Sequence, residues 1–384
     1  MNLKKVRNFF AAPEYAPRLR CSPRWLAVVA VVCVIVCILL ETLALPSQSQ
    51  TFEEEIQAAQ KAELAMRAIR DLRLEQGIAL DPVLDPNLTG LIGFDYSDLT
   101  TTEGNLIAKR TATNPAFAGL MVKLMREAGL KRGDKVAVNM SGSFPSLNIA
   151  LLAACETVGV EPYMISSVGA STYGANIPGL TWLDMEKHLY EKGIFPYRSM
   201  AVSLGGVVEL HGGLDGQALE LGYAAIERHG APFIEEGDYT TVEEGVNRRK
   251  VLFDAQGPIK AFINVGGGLN SLGWVPEAAR LDTGLIRDVP KTMDPKRGLI
   301  FRYAEEGMPV IHVLNVVRLA ESYALPVDPI PLPQAVEMSE TRYWTRYVIF
   351  LCVLFGWFVL SMVFLFFVDR KQYHTLVNKN EGKI

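Results

Sequence analysis

Between residues 46 and 340 the chain has one cysteine, Cys155, although five occur in its 384 residues. The others are Cys21 in a basic N-terminal arm and Cys33, Cys37 and Cys352 within long apolar runs. No disulfide can form inside the intervening segment, which must be held by its own core and is long enough to build one. Histidine is just as scarce there: His188, His211, His229 and His312 show no ligand-like spacing, so no metal site is expected. No G-x-x-x-x-G-K-[ST] occurs, which removes P-loop chemistry, and "GGGLNS" (266–271) lacks the third glycine of a dinucleotide fingerprint. Neither "GSFPS" nor "GASTYG" satisfies G-x-S-x-G. No cofactor is therefore expected.

Two stretches lack charge. "WLAVVAVVCVIVCILL" runs from Trp25 to Leu40 and continues past Glu41 to Pro46, and "YVIFLCVLFGWFVLSMVFLFFV" runs from Tyr347 to Val368. A helix rising ~1.5 Å per residue crosses ~30 Å of hydrocarbon in about 20 residues, a length the second run clears. The first clears it with Glu41 at the interface; the alternative is a signal peptide cleaved after Ala44. Lys4, Lys5, Arg7, Arg18, Arg20 and Arg24 precede the first run, and Arg370, Lys371, Lys379 and Lys383 follow the second. The positive-inside rule then expects a two-pass membrane protein, with both termini cytoplasmic and the lipid bilayer as a partner. Arm and tail together carry +7 of a net −4, which leaves −11 for residues 25–368. An acidic outer domain repels polyanions, so nucleic acid is not expected as a partner.

Outside these runs β and α signals alternate. "FEEEIQAAQKAELAMRAIRDLRLEQG" has apolar residues at helical spacing and reads as a stalk helix that stands on the membrane and packs against the domain. Strands are expected at Thr89–Phe94, Asp134–Asn139, Glu161–Ser167, Ser199–Leu204, Ile259–Val265 and Pro309–Asn315, with helices between them. Continuous apolar strands separated by helices predict an α/β fold, a mostly parallel sheet with helices on both faces (Rossmann-like), flanked by two transmembrane helices. The expected organisation is a cytoplasmic arm (1–24), a transmembrane helix (25–45) and a stalk helix with linker (46–87). An extracytoplasmic α/β domain (88–324), a Pro-rich connector (325–346), a second transmembrane helix (347–368) and a cytoplasmic tail (369–384) complete it.

In such sheets ligands gather beyond the carboxyl ends of the strands. The loops expected there, "MSGSFPS", "SVGASTYGANIPG", "GGVVELHGG" and "GGGLNSLG", are rich in Gly, Ser and Asn and nearly free of charge. Backbone amides in such loops form anion nests. The candidate ligand-binding residues are Ser141, Gly142, Ser143, Ser171, Asn176, Gly266, Gly267, Gly268 and Asn270, the ligand an acidic polymer or a small carboxylate. A nucleophilic Ser141 or Ser143 with His211 as base and Asp184 as orienter is the catalytic alternative, although the spacing does not single it out. "GVNRRK" (Gly245–Lys250) is the strongest basic cluster and reads as a solvated helix face.

The stretches "SGSFPSLNIA", "GASTYGANIPGLTWLDME" and "FINVGGG", within this anchor–domain–anchor layout, resemble the bacterial poly-γ-glutamate system protein family along nearly the whole chain. The resemblance implies an accessory role in making or exporting a γ-linked glutamate polymer, in the bacterial inner (cytoplasmic) membrane and beside other membrane components of that system. It supplies no catalytic residue. An envelope hydrolase or transferase acting on the polymer remains the alternative. A shorter stretch, "AGLKRGDKVAVNMSGSFPSLNIALLAACETVGVEPYMI", resembles the opening of adenylate-forming acyl synthetases, but their glycine-rich phosphate loop is missing.

Overall fold

The computed structural model describes residues 30–32, 34, 50–205, 214–234, 242–334 and 351–363. The chain divides into two units, residues 49–339 and the two chain ends. Of the end unit, residues 351–363 are helical, and large apolar side chains such as Phe355 and Phe358 are exposed. Most of the expected span at 25–45, residues 347–350 and 364–368 of the second, and the arm and the tail lie outside the described residues. Among the described residues no helix is long and apolar enough to cross a membrane.

The larger unit starts with α1 (Gln50–Glu75), β1 (Thr100–Thr102), α2 (Leu106–Ala112), α3 (Ala116–Glu127), β2 (Lys135–Met140) and α4 (Pro145–Val158). Next come β3 (Glu161–Ser167), β4 (Ala170–Ser171), β5 (Asn176–Ile177), β6 (Leu180–Thr181), α5 (Trp182–Glu191), β7 (Ala201–Ser203), α6 (Gly216–His229) and α7 (Val242–Asp254). β8 (Ile259–Val265), α8 (Leu269–Leu272), β9 (Gly284–Ile286), α9 (Leu299–Glu305), β10 (Val310–Val313) and α10 (Val316–Ser322) complete it.

Six strands form one sheet in the order β7-β3-β2-β8-β10-β9, parallel except for β9, which runs antiparallel to β10. Alternation along β2 shows why both faces are covered. Val136, Val138 and Met140 pack into one core with α1, α3 and α4, and Ala137 packs into a second core with Val246, Phe253, Leu299 and Tyr303 of α7 and α9. Starting at the central β2, the chain builds outward through β3 and β7, then returns to build the other side through β8 and β10. The switch point therefore lies between β2 and β8, where this class of sheet opens a crevice.

Three expectations need correction. Thr89–Phe94 is not a strand, because its backbone is held by side chains instead of a ladder. The Arg73 guanidinium, buried, donates to the carbonyls of Gly90 (3.2 Å) and Ile92 (2.5 Å), and the Asn176 amide brackets Phe94 with bonds of 2.9 Å. The domain begins well before residue 88, because the stalk helix expected to pack against it is part of its core. Its Ala58, Ala62, Ala65 and Ile69 are fully buried, and Arg126 of α3 grips Glu54 with two bonds of 2.9 and 2.6 Å. The first residues of the Pro-rich connector also lie on the domain: Asp328 pairs with Arg110 at 2.5 Å, and Asn87 bonds the Pro329 carbonyl at 2.8 Å.

Candidate functional site

A cavity of about 720 Å³ opens at the carboxyl edge of the sheet, at the switch point. Ser141 and Ser143 follow β2, Gly169 and Ser171 follow β3, Gly205 follows β7, Gly267 and Gly268 follow β8, and Asn315 follows β10. Five strand ends thus contribute to one wall set, as the parallel topology requires. The opposite wall is the β1–α2 segment from Thr101 to Lys109.

Of the nine expected contact residues, Ser141, Ser143, Ser171, Gly267 and Gly268 line the cavity. Gly142, Asn176, Gly266 and Asn270 do not, for packing reasons. A Cβ on Gly142 would meet the Val168 carbonyl oxygen at 2.7 Å, so glycine is needed for loop-on-loop contact. Gly266 lies hard against the Ser141 hydroxyl with φ +101°, and Asn270 is buried beneath Gly245 of α7. Asn176 spends both ends of its amide on Phe94 and Thr100.

Several of the loop amides expected to form a nest are engaged within the protein. The Ser143 amide donates to Ser141 Oγ (3.3 Å), and the Ser171 amide to Ser143 Oγ (3.1 Å). The amides of Ser141, Gly169 and Gly266 donate to the carbonyls of Val265, Leu204 and Val313. Ser141 and Ser143, expected to hold a ligand, use their hydroxyl oxygens to hold the loops, and only Ser171 Oγ is directed elsewhere.

The charge in the cavity comes from a residue that the sequence reading passed over. Lys109 lies on α2, a seven-residue helix capped by the Asn105 side chain on the Ala108 amide (2.9 Å). It is 2% exposed. Its Nζ donates to the Ser143 carbonyl and to Ser171 Oγ (2.7 Å) and sits 4.0 Å from the centre of the Phe144 ring. Among the described residues no carboxylate pairs with it, and burial alone lowers its pKa to about 7. The other titratable residue lining the cavity is Glu103, exposed at the rim.

The short β1–β4 pairing fixes this juxtaposition. Thr172 donates to the Thr102 carbonyl (3.0 Å), and the Gly104 amide donates to Thr172 Oγ1 (2.7 Å). Gly104 rests on the pair so closely that a Cβ would lie 3.0 Å from both Lys109 Cε and Ser171 Oγ. Asn315 turns the chain from β10 into α10 in the left-handed region (φ 53°, ψ 58°), a conformation Asn tolerates better than other non-glycine residues. The only sequence signal for Lys109 was the Asn105 cap ahead of an apolar pair; nothing in "AKR" separates the buried Lys109 from its half-buried neighbour Arg110.

The expected serine–histidine–aspartate set is not assembled among the described residues. Asp184 caps α5 through Thr181 and pairs with Arg228 at 2.7 Å, and His211 lies outside the described residues. A different cluster is buried between β3, α5 and α6. Glu186 accepts from the Ser199 amide (2.6 Å), Ser199 Oγ (2.7 Å) and His229 Nε2 (2.9 Å). The carboxylate stands between serine and histidine, the reverse of a relay in which imidazole must touch the nucleophile, and none of the three lines the cavity. The cluster is a buried polar core in which Glu186 is fully engaged and His229 Nδ1 has no hydrogen-bond partner among the described residues. In "GVNRRK", Arg249 is buried and bonds Ser203 Oγ (2.9 Å), so that helix face is not wholly solvated.

No family model, curated protein sequence or solved structure matches this chain.

Proposed function

We propose that this chain is a membrane-anchored accessory of a poly-γ-glutamate synthesis or export system, whose outer domain holds a carboxylate in the carboxyl-edge cavity. The observation that carries this reading is Lys109, an amine buried in a mostly neutral cavity with no carboxylate beside it among the described residues. A buried unpaired cation is costly, and an incoming anion relieves that cost. All three stretches that carry the family resemblance reach this cavity, through Ser141 and Ser143, through Gly169 and Ser171, and through Gly267 and Gly268. The −11 balance of residues 25–368 disfavours a grip along the whole length of a polyanion and favours a grip on one end group. The apolar runs and the flanking Lys and Arg residues support two membrane-spanning helices, with other membrane components of the system as partners.

The test has two arms. Reporters active only outside the cytoplasm should work when fused at position 200 and fail at 384; activity at both would refute the two-pass topology. Calorimetry with a γ-linked glutamate oligomer on the full chain in detergent should show binding that Lys109→Met removes. Undiminished binding by that variant would refute the site.

A further inference from the structure

We infer that Ser171 is a nucleophile and Lys109 its general base, so that the cavity performs acyl transfer on an amide or ester. The inference rests on the proposed carboxylate site and deepens it, since the carboxylate held there would be the product of the reaction. Three observations carry it. Ser171 Oγ and Lys109 Nζ are 2.7 Å apart, the reach required of a nucleophile and its base. Both line a cavity of about 720 Å³, a size that holds a small acyl substrate or a chain end. The amine is buried and, among the described residues, pairs with no acid, and its lowered pKa, about 7, makes the neutral form available near neutrality.

The contacts also fix the geometry before substrate arrives. The Ser171 amide is tied to Ser143 Oγ, its carbonyl accepts from the Gly174 amide (2.9 Å), and Gly104 closes over the pair. The Ser143 carbonyl and the Phe144 ring hold Nζ from the other side. A serine with two backbone tethers and a lysine with fixed donors need little reorganisation to react.

The step balances without a cofactor. Neutral Lys109 takes the Ser171 hydroxyl proton as Oγ bonds to the acyl carbon. The tetrahedral adduct collapses, the bond to the leaving amine or alcohol breaks, and Lys109 returns the proton to that group. An ester of Ser171 remains. Water, or an acceptor amine, then attacks the ester while Lys109 removes its proton, and the proton returns to Ser171 Oγ as the ester bond breaks. With water the products are an acid and the released amine or alcohol. The acid ionises, and the protonated Lys109 is the form suited to hold it.

The test is covalent. Full-length protein in detergent micelles is incubated with a fluorophosphonate, which loses fluoride as a P–O bond forms, and the adduct is mapped by mass spectrometry. The expected adduct is on Ser171, forming about tenfold faster per pH unit below pH 7 and levelling above it. Ser171→Ala should abolish it, and Lys109→Met should slow it at least a hundredfold while thermal unfolding shows the variant folded. No adduct on Ser171 of the folded wild type, or equal labelling of Lys109→Met, overturns the inference. Binding of the γ-linked glutamate oligomer, measured on the same samples, separates the two readings. Binding without an adduct overturns the nucleophile and leaves the carboxylate site; an adduct without binding supports the nucleophile and overturns the carboxylate proposal.

Discussion

Replacing Lys109 by methionine should make the protein more stable at pH 6 and less stable at pH 10. Burial takes the ammonium pKa from 10.5 to about 7. At ~1.4 kcal/mol per pH unit, holding the charged form inside the fold costs about 5 kcal/mol. The sign follows from proton counting: between about pH 7 and 10.5 the unfolded chain keeps the Lys109 proton that the native state has lost, so wild-type stability rises with pH there. Below pH 7 both states are protonated and the full penalty is present. Methionine removes the penalty with little change of volume. It also loses two hydrogen bonds, ~1 kcal/mol each, and the Phe144 ring contact, ~0.5–1 kcal/mol. The net gain is about 2 kcal/mol at pH 6, which becomes a loss of about 2 kcal/mol at pH 10, with the crossing at about pH 8.5. For a domain of this size 2 kcal/mol is about 3 °C in melting temperature. Thermal unfolding of the full chain in detergent, followed by tryptophan fluorescence at pH 6, 8 and 10, reads both signs. A stability difference that does not change across that range would mean that Lys109 is not desolvated, and the argument for the site would fail with it.

Two further substitutions probe the supporting structure. Gly142→Val should lower stability by about 3 kcal/mol or more and reduce folded yield, because its Cβ would press on the Val168 carbonyl oxygen; a normal melt with selectively weakened oligomer binding would instead place Gly142 at the ligand. Glu186→Gln should cost about 3 kcal/mol or more in denaturant unfolding, since an amide cannot accept from the Ser199 amide, the Ser199 hydroxyl and His229 together. A change under about 0.5 kcal/mol would show that the buried cluster tolerates loss of its charge.

The sequence by itself determined the strand–helix alternation, five of the parallel strands to within a few residues, and the edge at which their loops gather. Continuous apolar strands such as "FINV" and "VAV" can be satisfied only when both faces are covered, and parallel strands all direct their following loops to one edge. What it could not determine was which loop residues face the cavity and which face one another. Ser141, Ser143 and Ser171 share a composition with Gly142 and Asn176, and only the crossing of the 141–146 and 168–176 loops separates wall from packing. Lys109 was illegible for a related reason. In "LIAKRTA" two adjacent cations look alike, and burial of the first follows from the long-range pairing of Thr100–Thr102 with Ala170–Ser171, about 70 residues away in sequence. Local periodicity encodes which segments are buried, whereas the fate of one charge depends on what the rest of the chain brings beside it.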